Sequence, residues 1–159
     1  MELVEVSVSG IALDQERRHP VVLLKAEDED EILPIWIGTA EATAIFAALA
    51  GKAFERPMTH DLLAIVVEVL GSAVERIEIT GLHSDTYFAR IVLKRGEDVF
   101  YVDARPSDSI ALALRTDSAI FIDRELFNTY KRSIDLGPDD DVRKRLKELD
   151  PGNFGDFDA

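Results

Sequence analysis

The residues of this chain best equipped for chemistry fall in one run, FYVDARPSDSIALALR, from Phe100 to Arg115. It sets Asp103, Arg105, Ser107 and Asp108 close together in the sequence. An apolar strand that turns into a helix gathers such groups at the C-terminal edge of a sheet, beside the unpaired N–H groups of the helix. Two carboxylates on one rim, Asp103 and Asp108, can hold Mg²⁺ or Mn²⁺, which orients water and stabilises charge on a phosphate. The planar guanidinium of Arg105 can grip two phosphate oxygens, with Ser107 beside it as a further contact. The same residues also have an ordinary local reading. Arg105 pairs with one acid, Asp108 caps the helix, and Pro106 fills a first-turn position that needs no N–H. No general base is evident for Ser107 as a nucleophile.

A second cluster, ERPMTHD, runs from Glu55 to Asp61. Thr59 reads as a helix cap, with His60 and Asp61 in the first turn. The helix dipole disfavours an imidazolium there, which suits a neutral base or a metal ligand. Arg56 is a second candidate phosphate clamp. Solvation at the helix start is the plainer reading of His60 and Asp61, and a surface ion pair that of Arg56. Adjacent helical residues point about 100° apart, so His60 and Asp61 need not share a target.

The elements that must position these groups follow from periodicity. Strands are expected over 3–13, 21–26, 32–37, 74–82, 86–94, 99–103 and 119–122, and helices over 39–50, 60–70, 106–115, 124–130 and 140–149. The acidic run EDEDE reads as a solvated hairpin loop, since it lacks the glycine and spacing of a calcium loop. Thr39 reads as the cap of the first helix. The helix from His60 is apolar nearly all round, which makes it central or part of an interface. Trp36 alternates onto the opposite strand face from its neighbours, as an outer cover or contact. Three strands and a helix recur after an offset of 67, which places Glu41 on Asp108. Glu41 therefore joins Asp103 and Asp108 as a third candidate metal ligand. The fold class is α+β, a compact mixed fold with two repeated three-strand-plus-helix units and additional helices. Residues 1–130 form the domain, and 131–159 a C-terminal helix and acidic tail.

Composition narrows the function. The 159 residues contain no cysteine, which excludes thiol chemistry, disulfides and cysteine-bound zinc. A net charge of −13 opposes avid binding to phosphate backbones and anionic membranes unless a cation or a local cleft intervenes. No signal peptide or spanning segment is evident, so no membrane role and a cytoplasmic location are expected.

The segments ILPIWIGTAEATAI, RPMTHDLL, YFARIVL and FYVDARPSDSIALALR together resemble the bifunctional nuclease family over roughly residues 3–130. The resemblance implies a compact α+β domain with an internally repeated layout, an oligomer, and action on DNA and RNA. It points to Glu41, Arg56, His60, Asp61, Asp103, Arg105, Ser107 and Asp108 as motif positions. The expected function is a metal-assisted nuclease. In it His60, Asp61, Asp103 and Asp108 are catalytic, Arg56, Arg105 and Ser107 bind phosphate, and Asp103, Asp108 and Glu41 hold the metal. A non-enzymatic regulatory or interaction domain and a small-anion or nucleotide-binding module remain the alternatives.

Overall fold

The structure is a computed structural model that describes residues 1–14 and 17–133. The chain opens with an antiparallel meander, β1 (Leu3–Asp14), β2 (His19–Ala26) and β3 (Ile32–Trp36), followed by α1 (Thr39–Leu49) and α2 (Thr59–Val69). A second meander, β4 (Ala73–His83), β5 (Thr86–Arg95) and β6 (Asp98–Ala104), leads into α3 (Pro106–Thr116). The described part ends with β7 (Ala119–Asp123) and α4 (Arg124–Tyr130). The expected strands and helices up to residue 130 are therefore present. The expected helix over 140–149 lies outside the described residues.

All seven strands form one sheet, in the order β3-β2-β1-β7-β4-β5-β6. The last strand in sequence joins the two meanders at the centre, antiparallel to β1 and parallel to β4. Its place follows from its composition: Ile120 and Ile122 in AIFID are both buried, which a short edge strand would not need. The β4–β5 connection is a tight hairpin with Ser84 and Asp85 both at positive φ, the geometry that matches strand twist.

The main core joins both halves. Val22, Leu24, Leu33, Ile45, Ile77, Ile79, Ile110 and Ile122 are sealed from solvent. α3 is its central helix, with Ile110 to Ala113 buried in sequence. A smaller cluster of Val21, Leu23 and Ile32 lies beneath Trp36, whose indole N–H donates to Asp14 Oδ2 at 2.8 Å while Arg17 covers its ring. Trp36 thus serves as an outer cover. Two glutamates of the acidic β2–β3 loop, Glu29 and Glu31, hold Lys131 at 2.8 Å each.

Two helix starts differ from the expected ones. Gly38, not Thr39, is the N-cap of α1, and Met58, not Thr59, that of α2. In α2 the capping interaction comes from the third helical residue: Met58 N–H donates to Asp61 Oδ2 at 2.9 Å. The expected central position for α2 is also corrected. None of its residues is buried, because it rests only on α3 and the start of β4.

Candidate active site at three helix N-termini

Three helices begin at the site, and each carries an acid at its third residue: Glu41 in α1, Asp61 in α2 and Asp108 in α3. A carboxylate there is favoured by the unpaired N–H groups and the positive end of the helix dipole. Arg105, the N-cap residue of α3, lies between the first and third helices. Its Nε donates to Asp108 Oδ2 at 2.7 Å and its Nη2 to Asp108 Oδ1 at 3.1 Å. Its Nη1 donates to Glu41 Oε1 at 3.0 Å. One guanidinium therefore ties the two repeated units together through the acids that the offset of 67 pairs.

His60 completes the cluster from α2. Its Nε2 lies 3.0 Å from Asp108 Oδ1. The carboxylate only accepts, so Nε2 carries the proton and Nδ1 is left as the basic nitrogen. Burial pushes the Asp108 carboxyl up, but hydrogen bonds from Arg105 and His60 outweigh it and hold the group below its usual range. The bond to Asp108 chiefly raises the Arg105 guanidinium. His60 is nearly covered, with 13% of its side chain exposed, whereas Arg105 is 65% exposed. An arginine has five N–H donors, and three of those on Arg105 are engaged. The others remain for an incoming anion.

Gly38 lets Glu41 take part. A Cβ at this position would overlap Glu41 Oε2, so only glycine leaves the carboxylate free to fold back over the helix start. Asp61 faces elsewhere: its Oδ1 accepts from Arg115 Nε, and burial is again outweighed, so its carboxyl is held low. This pair borders an open hollow of about 510 Å³ between α2, the end of α3 and the start of β4. Arg115 escaped the sequence reading because it lies a full helix from the polar turn and 54 positions from Asp61. An arginine in the last turn of a helix is ordinary.

The structure thus brings together Glu41, His60, Arg105 and Asp108. It does not bring Asp103 to them. Asp103 is paired in register with Arg90, and Val102 with Ile91. Directly opposed residues share a face, so Asp103 belongs to the face of Arg90 and Glu78, and α3 packs with Ile91 on the other. On that far face Glu78, only 1% exposed, accepts from Arg76 and Arg90. Arg56 is exposed in the loop before α2, and Ser107 is buried in the first turn of α3. The local alternative holds in one respect and not in another. Arg105 does pair with Asp108, yet no side chain caps α3.

Among the described residues, no three or more His, Asp or Glu side chains are grouped to enclose a metal ion. A divalent cation on this chain would rest on Glu41 and Asp108, the two carboxylates within reach of one cation, Arg105. Mg²⁺ is commonly held by one or two carboxylates with phosphate and water completing its shell, and this pair fits that pattern.

No helix among the described residues is long and apolar enough to cross a membrane. The chain is similar to an uncharacterized protein of Mycobacterium tuberculosis, 34% identical over 96% of this chain and 92% of that protein. It is 30% identical to bifunctional nuclease 1 of Oryza sativa subsp. indica, over 68% of this chain and 34% of the rice protein. With bifunctional nuclease 1 of Arabidopsis thaliana it shares 28% identity over 75% of this chain and 38% of the plant protein. The match to the plant proteins is therefore confined to about a third of their length. The model of the bifunctional nuclease domain matches residues 22–135, which include all four clustered side chains, and the chain belongs to that family.

Proposed function

We propose that this chain hydrolyses phosphodiester bonds of DNA or RNA at the Glu41–His60–Arg105–Asp108 cluster. The observation that carries the reading is the position of Asp108, which holds an exposed guanidinium on one side and a covered imidazole on the other. The free N–H groups of Arg105 would take the phosphate. His60 Nδ1 would accept the proton of an attacking water, and Asp108 would hold the ring in the required tautomer and offset the positive charge it gains.

Charge explains why a cation belongs in this proposal. Glu41 and Asp108 carry two negative charges against one on Arg105, so an approaching phosphodiester meets a net negative cluster. Bound at Glu41 and Asp108, Mg²⁺ or Mn²⁺ would neutralise this excess and stabilise charge on the phosphate oxygens. The test is cleavage of end-labelled single- and double-stranded DNA and RNA by the purified chain, with Mg²⁺, Mn²⁺ or EDTA. Cleavage should require a divalent ion and fall about 10²- to 10⁴-fold in His60→Asn, the range of a general base. Equal cleavage by wild type and a folded His60→Asn would refute the assignment.

A further inference from the structure

We propose that the outer ridge of α2 is the seam along which two copies of this chain pair, and that this pairing seats His60 against Asp108. The second half of the proposal rests on the nuclease reading; the first does not.

Leu62, Val66 and Val69 recur at the spacing of one helix face, flanked by Leu63, Ile65 and Leu70. All six are exposed, from 38% for Leu63 to 78% for Val69. A helix this apolar with no buried residue has half its partner missing. Charge selects the partner. From Leu62 to Val67 the helix carries no charge, and it has no lysine or arginine anywhere. Nucleic acid and anionic lipid therefore find nothing to bind, and surface helices that lie on membranes are rich in Lys and Arg. The chain itself is strongly acidic, at −13. Two copies that meet on this ridge bring no carboxylates face to face along its length.

The ends of α2 favour an antiparallel pair. Arg56 lies just before the helix and Glu68 in its last turn, on the flank of the ridge. Neither has an ion-pair partner among the described residues. A two-fold axis across the middle of the helix sets the start of one α2 beside the end of the other, bringing Arg56 near the partner copy's Glu68, twice over. Closed two-fold pairing of this kind is the commonest form of self-association.

The link to the site is mechanical. Within one chain α2 is anchored by His60 to Asp108, by Asp61 to Arg115, and by the half-buried Ala64 and Val67. Elements with so few buried contacts open most readily. A second α2 across the ridge removes that freedom, and His60 keeps its place on Asp108.

Sedimentation velocity on the full chain, with Val69→Asp, Arg56→Glu, Glu68→Arg and the double charge swap, tests the pairing. The wild type should be a dimer and Val69→Asp a folded monomer. Each single swap should weaken the dimer about tenfold, a surface-pair effect counted twice, and the double swap should restore it. A wild type that stays monomeric at about 100 μM, or a dimer that survives Val69→Asp, overturns the pairing. So does a double swap no better than the singles, since the ends of α2 then do not meet. The imidazole NMR signal of His60, read without substrate, should be sharp in the dimer and broadened in Val69→Asp. An identical signal in both overturns the coupling. A dimer that behaves as described but cleaves nothing leaves the pairing intact and refutes only the nuclease reading.

Discussion

Asp108 is the residue on which the others depend, because Arg105 and His60 meet only through its two oxygens. Its carboxyl is held below the usual value when folded, so the unfolded chain binds more protons near pH 4. The stability it contributes is complete above the unfolded value of 3.8 and is lost as pH falls through the lower folded value. Asp61 acts in the same direction. Urea unfolding should therefore show stability falling below about pH 4 in the wild type, with a shallower fall in Asp108→Asn. At neutral pH that variant should be less stable by about 1–3 kcal/mol, the range for hydrogen bonds to a charged group. An unchanged acid slope would show that Asp108 is not the coupled carboxylate described above. Much of this was legible in the sequence. Turn chemistry marked Asp108, Arg105 and His60, and the offset marked Glu41. The face of Asp103 was not legible, because a one-residue step along a strand reverses the side chain, and only the register with Arg90 fixes it. The partnership of Asp61 with Arg115 was hidden for a different reason, since no local pattern links residues from two helices.

At the scale of the elements, the repeated units explain why a shared arginine forms at all. Each meander delivers a helix whose third residue is acidic, and the N-cap residue of one, Arg105, serves both. Gly38 occupies the corresponding position in the other unit. Gly38→Ala should leave the fold intact but drive the Glu41 carboxylate off Arg105, since the clash is with a flexible side-chain end. The expected cost is below about 1 kcal/mol in thermal unfolding, with a loss of cleavage matching that of Glu41→Gln. Full activity in Gly38→Ala would remove Glu41 from the site. α3 bears the packing: Leu112 is 1% exposed, and Leu112→Ala should cost about 2–5 kcal/mol by urea titration. Periodicity identified these strands and helices because their alternation and stripes are local. It did not reveal that β7 would join the two meanders at the centre, which depends on nonlocal pairing to β1 and β4. Nor did it decide between burial and interface for α2, whose apolar character is the same in both cases.

For the whole molecule, an acidic chain acting on a polyanion needs its charge offset locally, and the three helix N-termini with Arg105 provide that only in part. The account therefore joins a cation-dependent site to a self-associating helix, with His60 at the junction of the two. Its central claim is that Asp108 governs the chemistry by holding His60 and Arg105. The most direct measurement is the single-turnover cleavage rate of wild type and Asp108→Asn against pH, with saturating Mn²⁺ and matched circular dichroism. The prediction is a rate at least about tenfold lower in Asp108→Asn, with the limb of the wild-type pH profile that reports the histidine displaced. Superimposable profiles and rates in the two proteins would contradict it.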